Sequence, residues 1–235
     1  MNSHLQFRII SFFLLSFFLI GCSGNYEATG PTEGIITYDV SYPKPAADPF
    51  DQKMMPSEMT VKFKDNKSLT TLLFGMGFVQ MAYLSDNEKK TITELNKFMG
   101  KKRSFVTDQK NLPNLLKEVP PYTIEYIENQ NKIIAGYNCK KALIHVQVEP
   151  PYDFSVFYTD EIQIKDPNWC TPFKNIKGVL MEYQVEQYNI IMRFKAKTVE
   201  LIDQEEGDFK MPADFKLVSQ QDMDEIHKML KEMNE

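Results

Sequence analysis

The chain has 235 residues, of which 43% are hydrophobic and 25% are charged, a balance typical of one globular domain. The formal net charge of −5 argues against a nucleic-acid-binding protein, because such a protein needs clustered cations to displace the counterions of phosphates. Three cysteines are too few for a disulfide-dense scaffold or a four-cysteine zinc site.

Residues 1–21 have the pattern of a secretory signal peptide. Arg8 precedes the apolar run Ile9–Ile20, which is too short to cross a bilayer as a helix. Residues 19–22, Leu-Ile-Gly-Cys, resemble a bacterial lipobox, in which a peptidase cuts before the cysteine and the thiol carries a diacylglyceryl group. This predicts lipidation at Cys22. The alternative is a buried N-terminal helix that ends in an ordinary Gly-Cys pair.

Cleavage before Cys22 would leave a mature chain anchored by its lipid. Removal of residues 1–21, whose only charge is Arg8, changes the formal net charge from −5 to −6. No acidic cluster lies within Ser23–Tyr26, and the resemblance to Gram-negative lipoproteins with this sorting pattern implies the outer membrane and the side facing the periplasm. Residues 22–34 are polar and rich in glycine and predict a flexible tether, so that residues 35–235 form a single domain.

The sequence predicts short strands over most of that domain. Apolar residues occupy every second place in Ile36–Tyr42 and Met59–Phe63, which is the period of a half-buried strand. Residues 65–67, 85–88 and 187–189 predict turns. The other predicted strands are Ser68–Phe74, Phe78–Leu84, Lys90–Asn96, Ser104–Thr107, Tyr122–Glu128, Ile133–Asn138, Lys141–Val148, Phe154–Thr159, Val179–Val185 and Ile190–Leu201.

Two helices are predicted among these strands. Asn111–Glu118 forms a short helix that Pro120 and Pro121 end, and Asp222–Met233 places apolar residues on one helical face. Many strands with few helices indicate a mainly β (α+β) domain. We expect a curved antiparallel sheet or an incomplete β-barrel, with a few helices covering its concave side.

Four segments resemble, in this order, the motifs of a Bacteroidota lipoprotein family described as GLPGLI-like. They are residues 132–142 (Lys-Ile-Ile-Ala-Gly-Tyr-Asn-Cys-Lys-Lys-Ala), 157–160 (Phe-Tyr-Thr-Asp), 177–180 (Lys-Gly-Val-Leu) and 211–216 (Met-Pro-Ala-Asp-Phe-Lys). The resemblance implies a fold similar to the LolA-like periplasmic lipoprotein carriers, with an apolar concave face. It implies no catalytic residue.

Cys139 and Cys170 remain after lipidation of Cys22. In an oxidising periplasm they are expected to form a structural disulfide. Such a bridge would close a loop of about 30 residues and contribute roughly 3–4 kcal/mol to stability. Two unpaired buried thiols are the first alternative. A redox pair is the second, although no Cys-x-x-Cys motif is present.

No motif predicts catalysis, a metal site or a cofactor. His145 and His227 lie too far apart in sequence for a metal-binding motif, and Gly75–Gly77 lacks the rest of a phosphate loop. The basic cluster Lys101–Arg103 predicts a solvated turn, or else a contact with anionic lipid headgroups. Paired carboxylates that predict solvated charge are found at Asp160-Glu161, Glu205-Glu206 and Asp222-Asp224.

The chain is also rich in methionine, with 13 residues. Methionine adapts to varied apolar partners, so the N-terminal half could line a cavity for an acyl chain, although core filling explains any single residue. The methionines concerned are Met54, Met55, Met59, Met76, Met81 and Met99. These features predict a non-enzymatic, outer-membrane-anchored lipoprotein that binds a lipid or lipidated segment in its concave face. The alternatives are an envelope protein–protein interaction module without a small ligand, and a hydrolase without a recognisable motif.

Overall fold

The computed structural model describes residues 30–43, 53–117, 119–187 and 190–232. The helices in these ranges are α1 (Leu112–Leu115) and α2 (Gln220–Glu232), and single 3-10 turns occupy Gly75–Gly77 and Glu206–Phe209. The strands are β1 (Glu33–Ser41), β2 (Glu58–Lys64), β3 (Lys67–Phe74), β4 (Val79–Asp86), β5 (Thr91–Phe98), β6 (Lys101–Asp108), β7 (Tyr122–Ile134), β8 (Tyr137–Val146), β9 (Tyr152–Thr159), β10 (Val179–Gln187), β11 (Ile190–Glu200) and β12 (Lys216–Leu217). The prediction of a mainly β protein is confirmed.

All twelve of these strands belong to one open sheet, in the order β12-β6-β5-β4-β3-β2-β1-β11-β10-β9-β8-β7. Neighbouring strands are antiparallel except for β12 and β6, which are parallel. β1 lies at the centre, between β2 and β11. We call β2–β6 the N-terminal wing and β7–β11 the C-terminal wing.

The alternation of side chains gives the sheet two faces. Cross-strand register places Tyr38 opposite Met59, Met59 opposite Leu72, and Leu72 opposite Met81, so these four side chains share one face. We call this the inner face. The opposite, outer face carries a small cluster formed by Ala82, Leu84 and Leu95 with Leu69 and Phe215.

The C-terminal wing packs aromatic and aliphatic side chains on its inner face. Phe173 packs edge-on against Phe154 and Tyr183, with ring centroids 6.3 and 6.0 Å apart. Tyr183 stacks on Phe194 at 5.0 Å. Phe173 and Ile176 are buried in this cluster, and both come from the connection between β9 and β10.

This connection, residues 160–178, covers the inner face of the C-terminal wing, where helices were expected. α1 has only four residues, against the eight expected for Asn111–Glu118. In α2, a capping box starts the helix: Ser219 Oγ lies 2.7 Å from Asp222 Oδ2, and the Asp222 amide donates back to Ser219 Oγ. Covering helices are therefore only weakly supported, since over the C-terminal wing a segment without helix or strand fills that place.

The segment from residue 201 to 217 crosses the outer face of the N-terminal wing. The Lys62 ammonium pairs with Asp208 at 2.7 Å, and Lys67 pairs with Glu206 at 3.1 Å. Further along, the Lys102 ammonium pairs with the carboxylate of Asp214. The segment ends as β12 against β6, which covers part of the exposed edge of the sheet.

The predicted boundaries need three corrections. β1 begins at Glu33, two residues before the predicted domain start. Tyr122–Glu128 is part of a longer strand, β7, and the predicted strand Ile133–Asn138 is instead the hairpin that joins the end of β7 to the start of β8, with Ala135 and Gly136 at its turn at φ of 48° and 88°. The turn predicted at 85–88 lies at residues 87–90. The signal peptide and Cys22 lie outside the described residues.

The two ends of the N-terminal wing carry different turns. The proximal end contains the start of β1 and the turns 65–66 and 87–90. The opposite end carries the turns 75–78 and 99–100, which we call the distal tips.

Candidate functional site

A cavity of about 630 Å³ lies at the proximal end, between the region of α1 and the connection 160–178. Its size is within the range of small-molecule sites in proteins. It is lined by Lys90, Gln109, Leu112, Pro113, Leu116, Asp166, Trp169, Lys174, Asn175 and Lys177. Three separate stretches of chain, at residue 90, residues 109–116 and residues 166–177, therefore meet here, and none of them is part of a β-strand.

Trp169 fixes the position of the cavity wall. Its indole Nε1–H donates to Ser85 Oγ at 2.9 Å and to Asn87 Oδ1 at 3.0 Å. Its ring is buried against Ile92 and Leu112. Because a buried indole N–H needs an acceptor, these bonds tie the connection 160–178 to the end of β4.

The charged side chains that line the cavity are mostly basic. The Lys90 ammonium lies 3.0 Å from Asp166 Oδ2 and 5.6 Å from the centre of the Trp169 ring. Lys177 reaches the same carboxylate at 3.5 Å, and Lys174 is exposed. The hydrogen bond from Lys90 lowers the pKa of Asp166, which keeps the carboxylate ionised. Three lysines against one carboxylate leave a net positive charge around the cavity.

The remaining wall is apolar. Leu112 is buried, Leu116 is half-buried, and both lie in the same cluster as Trp169. The lining therefore combines an apolar floor with a cationic rim. Its ionisable groups are lysines and one carboxylate already paired with two of them, so it offers no free acid–base pair and no hydroxyl or thiol nucleophile. What the arrangement can do is bind.

A second, smaller cavity of about 350 Å³ lies where β12 meets the start of α2. Arg103, Asp222 and Glu225 contribute charges to its wall. Asp222 already accepts the hydrogen bonds of Ser219 that cap the helix, and these lower its pKa.

The structure does not pair Cys139 with Cys170. Both thiols are free, and they lie in different apolar clusters, Cys139 in the central core and Cys170 beside Trp169. Burial raises the pKa of each to about 11, so neither is a ready nucleophile. The predicted disulfide is wrong because Cys139 and Cys170 lie in two different clusters, which the sequence spacing alone did not reveal.

His145 belongs to an ion-pair group on the outer face of the C-terminal wing. Its Nδ1 lies 3.0 Å from Asp153 Oδ1 and its Nε2 lies 3.2 Å from Glu125 Oε2, on the two neighbouring strands. Asp153, followed by Glu125, raises the pKa of the imidazole. The group is exposed and lies in no cavity, so it fits the predicted structural or solvated role of His145. The side chain of His227 is outside the described residues.

The predicted charge pairs form surface contacts. Asp160 pairs with Lys140 at 2.5 Å, and Glu206 pairs with Lys67. The methionines divide between two environments: Met59 and Met81 are buried, whereas Met76 and Met99 are exposed at the distal tips. No methionine lines either cavity, so the expected methionine-lined hollow is not found among the described residues.

Two of the segments that carry the family resemblance are neighbours in the sheet. Val179 and Leu180 pair with Thr159 and Tyr158, which joins two of the segments across β9 and β10. Gly178 has φ of 136°, and a Cβ there would lie 2.5 Å from the Thr159 carbonyl oxygen, so only glycine fits. These motifs explain the local backbone. Of the residues in all four segments, Lys177 lines the cavity beside Trp169 and Lys216 lines the smaller cavity.

Within the described residues, no three histidine, cysteine, aspartate or glutamate side chains gather as metal ligands would. None of the helices described is both long and apolar enough to cross a membrane. The sequence matches no protein-family model and no curated protein.

Proposed function

We propose that the chain is a lipid-anchored, non-enzymatic binding protein of the bacterial outer membrane that faces the periplasm. Its ligand is an amphiphile with an anionic head group, held in the cavity beside Trp169. The observation that carries this proposal is the lining itself: an apolar floor from Leu112, Leu116 and Trp169 lies beside a rim formed by three lysines. We also propose that the fold is related to the incomplete barrel of LolA-like lipoprotein carriers.

The hydrophobic ligand is thus assigned to this cavity and not to the concave face of the sheet, where the sequence predicted it. The apolar hollow was expected in the concave face of the sheet, and in the C-terminal wing the inner face is filled by Phe173 and Ile176. Burial of an alkyl chain against the cavity floor is favourable by about 25 cal/mol per Å² of apolar surface. The lysine rim adds the preference for an anionic head group, which would compete with Asp166 for the lysines.

The position of the cavity suits a ligand that comes from a membrane. The first described residues lie beside the same connection, since the Gln163 amide donates to the Pro31 carbonyl oxygen at 2.9 Å. A tether that starts at Cys22 would therefore hold the cavity end of the domain near the bilayer. Short-chain amphiphiles that leave the bilayer would reach this end first.

Fluorescence of Trp169 tests the binding directly, because it is the single tryptophan of the chain. A chain that begins at residue 23 keeps every described element and is titrated with decanoate below the concentration at which micelles form. We expect a saturable change in emission. Decanol, which has the same chain length without the charge, is expected to bind about fivefold more weakly.

Two exposed lysines provide matched variants. Lys174→Glu places a negative charge on the rim and is expected to weaken decanoate binding about fivefold. Lys210→Glu makes the same change on an exposed lysine outside the cavity and is expected to have no effect. If both variants bind decanoate as the unchanged chain does, or if emission does not respond, the cavity is not the site.

The anchor is tested separately. Cys22→Ala in the full chain is expected to abolish labelling by palmitate and to shift the protein away from the mature, membrane-bound form. Ser23→Ala is the matched control and leaves processing intact. Membrane association and palmitate labelling that persist in Cys22→Ala would contradict the lipobox.

A further inference from the structure

The distal tips expose large apolar side chains. Met76, Phe78 and Met99 are 78%, 67% and 77% exposed. The two turns that carry them are neighbours, because Val79 pairs with Phe98 at the start of β4 and the end of β5. Three apolar side chains therefore project from one end of the N-terminal wing.

The backbone holds two of these side chains in unfavourable conformations. Met76 has φ of 53° and Met99 has φ of 46°, in the left-handed region that methionine rarely adopts. Gly77 and Gly100 follow them, also with positive φ. The Met99-Gly100 pair has the geometry of a two-residue hairpin turn, as does the Ala135-Gly136 pair. The turns therefore fix where these side chains project, and it is their exposure that suggests a contact surface.

The charges around the tips indicate which kind of partner this surface contacts. Residues 73–79 contain no charged side chain, and residues 97–103 contain Lys97, Lys101, Lys102 and Arg103 with no acidic residue. Lys102 is paired with Asp214, whereas Lys101 is exposed and makes no ion pair with the described residues. This basic strip contrasts with the net charge of −5 of the whole chain. Apolar side chains flanked by lysines match the interface of an anionic bilayer.

We propose that the distal tips insert Met76, Phe78 and Met99 into the headgroup region of a bilayer that contains anionic phospholipid. Lys101, which shares a face with Phe98, would then lie at the level of the phosphates, whereas Lys97 lies on the other face, opposite Lys102 and near Asp214. The basic cluster, for which a solvated turn was the first prediction, thus gains a role from apolar neighbours that are distant in sequence. This inference does not depend on ligand binding in the cavity.

The tips lie at the other end of the sheet from the start of β1, so they give the domain a contact separate from the anchor. An eight-residue strand such as β3 is about 27 Å long. The eight residues 22–29 can span at most about 26–29 Å. Both contacts can therefore reach one bilayer when the strands lie along its surface.

Vesicle co-sedimentation tests the proposal with the chain that begins at residue 23. Vesicles of phosphatidylcholine with about one-third phosphatidylglycerol are compared with pure phosphatidylcholine. We expect about tenfold stronger partitioning onto the anionic vesicles, and weaker partitioning as salt is raised. Absence of binding to the anionic vesicles, or equal binding to both kinds, would overturn the proposal.

Tip variants separate this surface from the rest of the protein. Phe78→Ser is expected to reduce partitioning about tenfold, whereas Ile133→Ser, at a side chain that is also 67% exposed, is expected to have no effect. Lys101→Glu is expected to weaken binding several-fold, and Lys110→Glu, an exposed lysine at the proximal end, is its matched control. Equal losses in a variant and its control would contradict the assignment.

A protein partner gives a different result. Sedimentation velocity of the same chain would reveal a second copy docked on the tips as a dimer that Phe78→Ser dissociates. Such a dimer, together with vesicle binding that does not change in Phe78→Ser, would assign the surface to self-association and overturn the lipid contact.

Discussion

The two wings of the sheet are built alike and packed differently. The inner face of the C-terminal wing is closed by an apolar cluster into which Phe173 and Ile176 insert. In the N-terminal wing, β2 and β3 contribute Met59, Phe63 and Leu72 to the central core, whereas β4–β6 have smaller apolar clusters and bury the polar side chains of Glu94 and Ser104. The proposed binding space lies beside this more sparsely packed part of the wing. The most apolar part of a sheet is therefore not where an amphiphile is expected to bind, because the protein fills that part itself.

The same connection serves both wings in different ways. In the C-terminal wing it contributes buried side chains to a continuous core. In the N-terminal wing it contributes Trp169, whose hydrogen bonds to Ser85 and Asn87 form a localised attachment. Substitutions in this connection can therefore separate global stability from local opening.

The largest expected effect is in the C-terminal wing. Phe173→Ala removes a buried ring that contacts Phe154 and Tyr183, and we expect the free energy of unfolding to fall by about 3–5 kcal/mol. Denaturant titration measures the change. Phe78→Ala, which truncates an exposed ring, is the control and is expected to change stability by less than about 0.5 kcal/mol. Equal effects of the two variants would mean that the connection does not close this core.

A smaller and more local effect is expected in the N-terminal wing. Trp169→Phe keeps an aromatic ring but removes the indole N–H, so Ser85 and Asn87 lose a donor, at a cost of about 1–3 kcal/mol. Hydrogen exchange is expected to become faster in β4 and β5 and to stay unchanged in β8 and β9. Faster exchange of similar size in both wings would remove the distinction between them.

A pH effect is expected on the outer face of the C-terminal wing. Because Asp153 and Glu125 raise the pKa of His145 above its ordinary value of 6.5, the stabilisation is complete below about pH 6.5. It is lost as the pH rises through the folded-state value. The melting temperature is expected to fall slightly over that window, and His145→Gln is expected to remove the trend. A His145 pKa at or below 6.5, measured by NMR titration, would contradict this.

The smallest expected effect is that of a reductant. Since Cys139 and Cys170 are free, dithiothreitol is expected to leave the melting temperature unchanged. Alkylation of the unfolded, unreduced chain is expected to modify both thiols, as mass spectrometry would show. If a disulfide were present, reduction would lower stability by roughly 3–4 kcal/mol, and both thiols would stay unmodified without reductant.

The strands were predictable because period-two alternation records burial on one face. It located Ile36–Tyr42 and Met59–Phe63 within β1 and β2 to a few residues at each end. It divided β7 in two, since the polar residues 129–131 resemble a turn although the ladder continues past them with an irregular register. The pairing of β1 with β11 could not be predicted, because contacts between sequence-distant strands leave no local pattern.

The candidate site could not be predicted for a related reason. Its wall is the connection 160–178, which has no period to detect, and Trp169 is held by residues 82 and 84 positions earlier. Its rim combines Lys90 with Lys174 and Lys177, which looked like scattered surface charges in the sequence. The sequence did suggest the basic cluster at Lys101–Arg103, but not the exposed apolar side chains that lie next to it.

The most direct test of the central claim is the NMR signal of the Trp169 indole N–H during a titration with decanoate. The single tryptophan gives one such signal, and its proton is donated to Ser85 and Asn87 next to the ring that lines the cavity. We predict a saturable shift of this signal in the unchanged chain and a shift that needs about fivefold more decanoate in Lys174→Glu. An indole signal that does not move, while signals of Tyr183 and Phe194 in the C-terminal wing do, would contradict the account.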